Sequence, residues 1–187
     1  MKTKKAFIKE AVKNIKTSGT IMPSSRFLSN KLIQGIDFDK AKVIVEFGPG
    51  NGVVTKKILE KMATDATLIS FEINDEFYKH LITIEDERLI VINASAENVI
   101  KELNRLNINE VDGIVSSLPL TIIPKEVVNS ILVNSRKILK INGQFSQFQY
   151  STVFYKKIKE IFKPENVKLK FEVKNFPPAF IYKCIKK

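Results

Sequence analysis

The sequence predicts an α/β protein, a doubly wound and mostly parallel sheet with a helical extension at its N-terminus. Three observations predict it. Apolar runs of strand length alternate with helix-length stretches from residue 42 to residue 162. A turn rich in glycine, "GPGNG", joins the first of those strands to the helix after it. Two strands in succession, "VKLKFEV" and "AFIYKCI", close the chain, the pattern of a terminal antiparallel hairpin.

The elements follow in order. Residues 3–17 read as a helix in which Phe7, Ala11 and Ile15 recur at i+4 among lysines. That basic amphipathic face suits a membrane interface, or equally a core against which the helix packs. "TSGTIMPSS" breaks the helix, and a second starts near Ser24 or Ser25, both good caps. "KVIVEF" is a buried strand and "GVVTKKILEKM" a helix. "TLISFEI" is a strand, and "NDEFYKHLITI" a helix capped by Asn74 or Asp75. "LIVIN" is a strand and "AENVIKELNRL" a helix. "VDGIVSSL" is a strand, and "PKEVVNSILVNSRKIL" is a helix with Pro124 in its first turn. "GQFSQFQY" is a strand and "TVFYKKIKEIF" a helix. Residues 1–36 are expected to form the helical segment and residues 37–187 the main domain.

Composition limits the function. The 187 residues are 44% hydrophobic and 27% charged, as in soluble globular chains. No apolar run approaches the ~20 residues of a membrane span, and the N-terminus lacks the apolar stretch of a signal peptide. One cysteine, Cys184, rules out an internal disulfide and a cysteine-based zinc site, and no metal is expected. The net charge of +11 predicts attraction to polyanions, either an anionic membrane surface or nucleic acid.

The chemistry-bearing stretch is "VIVEFGPGNG". A glycine turn between strand and helix presents backbone N–H groups and a helix N-terminus to a ligand. Gly48, Gly50 and Gly52 come at alternate positions, with Glu46 two residues before the first. A carboxylate there would repel a pyrophosphate. S-adenosylmethionine has no phosphate and carries an ammonium and a sulfonium, so the spacing favours it over a dinucleotide. Glu72, at the end of the second strand, is placed to accept hydrogen bonds from both ribose hydroxyls of an adenosine.

These residues resemble a known family. "VEFGPGNGVVTKKIL" and "SFEINDEF" are similar to the rRNA adenine dimethyltransferase branch of the class I methyltransferases. "SGTIMPSSRFLSNKL", "IVSSLPL", "GQFSQFQYS" and "NFPPAFIY" look more like the bacterial phospholipid N-methyltransferases, in that family's order and across nearly the whole chain. The resemblance implies a seven-stranded class I sheet that binds S-adenosylmethionine. It implies methyl transfer to the amino group of phosphatidylethanolamine by a cytoplasmic enzyme on the inner face of the membrane, with the N-terminal helix docked on anionic lipid. Carried over by motif, Gly48, Gly50 and Gly52 line the methionine and ribose part, Glu46 lies near the amino group, and Ser24 and Ser25 form a lid. Where relatives have Gly-Asp-Ala after strand three, this chain has Ser95 before Ala96, and Ser95 is expected on the adenine amine. Ser116 joins this cofactor set.

For the acceptor, adenine methyltransferases use Asn-x-Pro-aromatic after strand four. Here the place reads Ser116-Ser117-Leu118-Pro119-Leu120, without the amide and without the aromatic that would stack on a flipped base. Ser117 and the Leu118 carbonyl are the expected acceptors from a primary amine. Tyr150 offers a ring face to an ammonium, and Asn175 closes the pocket before the last strand. His80 reads as a surface residue, and Phe154, Tyr155, Phe162 and Phe171 as packing. Two other readings stay open: an RNA adenine methyltransferase, and a lipid- or RNA-binding protein with a vestigial methyltransferase fold.

Overall fold

The computed structural model describes residues 26–187, so the expected helix over 3–17 and the lid serines Ser24 and Ser25 lie outside the described residues. Thirteen elements follow: α1 (Arg26–Ile33), β1 (Val43–Phe47), α2 (Val53–Leu59), β2 (Thr67–Phe71), α3 (Asp75–Leu81), β3 (Leu89–Ile92), α4 (Val99–Arg105), β4 (Val111–Ser116), α5 (Lys125–Ile138), β5 (Leu139–Gln149), α6 (Tyr155–Phe162), β6 (Val167–Glu172) and β7 (Ala179–Ile185). Seven strands form one sheet in the order β3-β2-β1-β4-β5-β7-β6. The first five are parallel, and β7 runs antiparallel to both β5 and β6. The predicted sheet and its closing hairpin are therefore the observed ones. The reversal of strand order at β1 and β4 makes a crevice at the carboxyl ends of the strands, where ligands bind in such sheets.

Alternation along each strand divides the core in two. Val45, Phe47, Ile69, Phe71, Ile114 and Phe145 face α4, α5 and α6. Ile44, Leu68, Val115, Ala179 and Ile181 face α1 and α2. Leu28, Leu32 and Ile33 bury α1 in this second core. Its last turn is held by a buried lysine. Lys183 of β7 is buried and donates to the Leu32 carbonyl, to the Gln34 carbonyl at 2.8 Å and to Ser146 Oγ at 3.0 Å. A cation on the unsatisfied carbonyls of a helix end is favourable there, while burial pushes its pKa down to about 7.

Two expectations are corrected. The fifth strand begins at Leu139 rather than Gly143, because the β4–β5 pairing is interrupted between Val111 and Gly113 by a bulge that includes Asn142, at φ +66°. Phe171 is not core. It is 47% exposed on the edge strand β6, with its ring against Phe180 at 4.9 Å between centroids.

Candidate active site

The last row of the parallel strands sets the site: Phe71, Phe47, Ser116 and Gln147 lie in register across the sheet. The chain then turns through Gly48, Gly50 and Gly52, whose φ angles are +67°, +58° and +79°. A Cβ at Gly48 would lie 2.9 Å from Leu118 Cδ2, so that glycine lets two loops close on each other. A Cβ at Gly50 would meet nothing within 4 Å. That side of the turn is open, which is the requirement for close approach by a ligand.

Glu46 lies beneath this turn, fully buried. Its Oε2 accepts from Thr55 Oγ1 on α2 and from Ser70 Oγ on β2, each at 2.8 Å. Its Oε1 has no partner. Burial lifts its pKa to about 7, the two hydroxyls pull it down, and the nearby Glu72 charge pushes it further up. A half-satisfied buried carboxylate calls for a donor or a cation. Glu72 is buried just after β2 and bridges two backbones. Oε2 accepts from Gly50 N at 3.1 Å and Oε1 from Asn74 N at 2.8 Å. Asn74 in turn caps α3 through Glu76 N and Phe77 N. Ser95 is buried as the cap of a 3₁₀ turn that opens α4, its Oγ 3.4 Å from Glu97 N, and Ala96 is buried next to it. These groups fit S-adenosylmethionine: an unpartnered anion under an open glycine turn, with a second acid at the tip of the next strand.

The residues expected on the acceptor side lie on β4 and β5 and in the turns that follow them. Ser116 is buried, and the Leu118 N–H points to its Oγ at 3.5 Å. Ser117 N donates to the Phe47 carbonyl at 2.9 Å, while its buried Oγ has no partner. The Leu118 carbonyl, expected as an acceptor for substrate, already accepts from Gln147 Nε2 at 3.0 Å and from Gln149 Nε2 at 2.8 Å. Leu120 N also donates to it at 2.9 Å. Three donors more than fill the two lone pairs of a carbonyl, so Leu118 is corrected from substrate acceptor to anchor for two glutamines and its own turn. Gln147 keeps a buried Oε1 with no partner. Tyr150 stands one residue beyond β5, 40% exposed, edge-on to Phe148 at 5.7 Å and bonded to the Asn175 side chain. Asn175 is buried and donates to the Pro177 carbonyl at 2.8 Å. His80 is exposed in the last turn of α3.

Among the described residues, the buried side-chain atoms without a partner are Glu46 Oε1, Ser117 Oγ, Gln147 Oε1 and Ser151 Oγ. All four belong to the carboxyl ends of β1, β4 and β5 or the turns that follow. The sequence reading did not single out Thr55, Ser70, Gln147 or Ser151. A signal existed for Ser70, which is in register with Glu46 on the neighbouring strand. Also among the described residues, no group of three or more His, Cys, Asp or Glu could hold a metal ion.

Comparison with solved structures places this sheet. It matches an rRNA methylase from Streptococcus thermophilus with a TM-score of 0.63 and 13% identity, over 89% of this chain and 99% of that one. It also matches spermidine synthase from Thermotoga maritima, with a TM-score of 0.67 and 16% identity over 88% of this chain. The chain spans 61% of that synthase's length. The fold is that of the class I methyltransferases. No family model matches the chain. Among curated proteins, the ornithine lipid N-methyltransferase of Singulisphaera acidiphila is 29% identical over 167 residues, 88% of this chain and 86% of the relative. The ribosomal RNA small subunit methyltransferase A of Ureaplasma parvum is 28% identical over 149 residues, 72% of this chain but 53% of the relative. The resemblance carried by the motifs, to lipid N-methyltransferases related to the rRNA enzymes, is thus the one that whole-chain comparison returns.

Proposed function

We propose that this class I methyltransferase fold uses S-adenosylmethionine to methylate the primary amine of a lipid headgroup. Phosphatidylethanolamine is the acceptor that the motifs imply, and the relative acting on an ornithine lipid supports a lipid amine. The observation that carries the reading is the pair of unpartnered buried oxygens, Ser117 Oγ just after β4 and Gln147 Oε1 on β5, at the carboxyl end of the sheet. A neutral amine presents N–H groups to such oxygens, which then aim its lone pair.

The cofactor would supply an electrophilic methyl on a sulfonium. Glu46 Oε1 would hold its ammonium under the glycine turn, Glu72 its ribose hydroxyls, and Ser95, Ala96 and Ser116 its adenine side. Ser117 and Gln147 would orient the acceptor nitrogen in line, the arrangement from which much of the rate can come. The Leu118 and Phe148 carbonyls accept from the Gln147 Nε2, which leaves its oxygen as the end of the amide that would meet the acceptor. The Tyr150 face, held by Asn175, would receive the ammonium once methylated. The part of the segment 1–36 that precedes α1 would act as lid and membrane anchor, placing the enzyme at the inner face of the membrane.

RNA is the second reading, favoured by the 28% relative and the charge of +11. It lacks an amide and an aromatic after β4. The deciding experiment is incubation with methyl-labelled S-adenosylmethionine and mixed phosphatidylethanolamine/phosphatidylglycerol vesicles, followed by counting the organic phase. Label in mono-, di- or trimethylated lipid is expected. Absence of lipid label, with cofactor binding confirmed, would overturn the lipid reading and turn the search to RNA.

A further inference from the structure

The turn between β6 and β7 exposes large apolar side chains: Val173 is 65% exposed and Phe176 79%. On the neighbouring loop after β5, Val153 is 75% exposed. Single exposed hydrophobics are ordinary, but these stand on two loops that are joined. Tyr150 is bonded to Asn175 across them, and Gln149 pairs with Phe180 where the loops leave the sheet. Both loops rise from the edge that carries Ser117 and Gln147. Lysine accompanies them. Lys174 stands within the turn, its Nζ 5.1 Å from the Phe27 ring centroid, and Lys31 pairs with Glu172 at 3.2 Å at the base of the turn.

Apolar tips with ammonium groups at their base match a bilayer interface. The tips enter the acyl boundary while the lysines meet headgroup phosphates. A second copy of this chain would set lysine against lysine, whereas an anionic lipid surface complements a chain of net charge +11. We propose that the β6–β7 turn inserts Val173 and Phe176 into an anionic membrane and holds the mouth of the site at headgroup level. The function of this contact rests on the lipid-acceptor reading, but its existence does not.

The chain contains no tryptophan, so Phe176→Trp introduces a single indole. The full chain carrying it is mixed with phosphatidylglycerol/phosphatidylethanolamine vesicles whose acyl chains are brominated. The emission should shift to the blue and be quenched, whereas Ile141→Trp, 63% exposed at the opposite end of the sheet, should show neither. Val173→Ser with Phe176→Ser should weaken vesicle partition about tenfold without changing the melting temperature. Unmoved emission from Phe176→Trp while the protein co-sediments with vesicles overturns the proposal, as does no vesicle binding at all. So does concentration-dependent self-association that the double serine variant abolishes, which would assign the tip to a second copy. No arm uses the cofactor. Quenching without methyl transfer therefore sinks the acceptor reading alone, and lipid methylation without quenching sinks the insertion alone.

Discussion

Two acids at opposite ends of the sheet, the half-buried Asp112 and the buried Glu46, show how the molecule divides its work. Asp112, at the amino end of β4, accepts from Lys42 N at 2.8 Å, from Val43 N at 2.9 Å and from Lys140 Nζ at 2.6 Å. Burial pushes its pKa up, but those donors outweigh it and hold the carboxyl below the usual range. Glu46, at the carboxyl end of β1, has two hydroxyl donors and one unpartnered oxygen, and burial carries its pKa to about 7. Elsewhere at the amino end of the sheet, before β3, the loops are closed in the same manner. Arg88 gives its guanidinium to Asp86 and to the carbonyls of Leu59 and Met62. The amino end is satisfied by its own residues. The carboxyl end is left short of donors, and that shortage marks the ligand side.

The widest gap between the two ends should appear in cofactor binding. Glu46→Gln removes the charge that would meet the ammonium, and calorimetry should show affinity for S-adenosylmethionine falling about 100-fold. Asp112→Ala should leave that affinity within about twofold while lowering the melting temperature, because it strands two backbone N–H groups at a cost of ~1–3 kcal/mol. Equal loss of affinity in both variants would dissolve the comparison.

Titration sharpens it. Without cofactor, Glu46 is raised from 4.5 to about 7, so between those values the folded chain keeps a proton that the unfolded chain has released. Stability should fall as pH rises through that window, by up to roughly 3 kcal/mol, and Glu46→Gln should remove the slope. Lys183 runs the other way. Its pKa is lowered from 10.5 to about 7, so the folded chain has lost a proton that the unfolded chain still holds. Stability should climb from about pH 7 towards 10.5, and Lys183→Met should flatten that limb. Denaturant melts across the range read both slopes.

Steric contrast within the glycine turn comes next. Gly48→Ala forces a Cβ to 2.9 Å from Leu118 at φ +67° and should cost about 2–3 kcal/mol of stability. Gly50→Ala meets open space and should cost about 1–2 kcal/mol in stability, with its larger effect on cofactor affinity. The smallest effect belongs to a pair at neither end. Lys57 and Glu60 meet at 2.6 Å on the surface of α2, and Lys57→Ala should move stability by less than ~0.5 kcal/mol. A larger change there would mean that surface charge, not the sheet edges, governs this fold.

The glycine turn was readable because its spacing has a local cause: three left-handed residues after a buried strand leave few other uses. Asn74 was readable for the same reason, since a cap acts on residues two and three positions away. What escaped acts at a distance. Gln147 and Gln149 look like the outward residues of a half-exposed strand, yet both are buried and both reach back to Leu118, about thirty residues earlier in sequence. Lys183 resembles an edge-strand lysine until α1 covers it. Phe171 fails in the opposite sense. Its apolar character suggests core, but β6 is the edge of the sheet and nothing packs over that position fully.

The place of β7 has a consequence for how the chain is made. β7 is synthesised after the other six strands of the sheet, yet it lies between β5 and β6 and supplies the lysine that caps α1. While the ribosome still holds β7, β6 has no strand to join and the end of α1 has no cation. The glycine turn and its acids can fold in order as they emerge. The pairing of β5 and β6 through β7 and the fastening of the first helix must wait until β7 is made, so a chain stopped short of β7 would carry the glycine turn on an unfinished sheet.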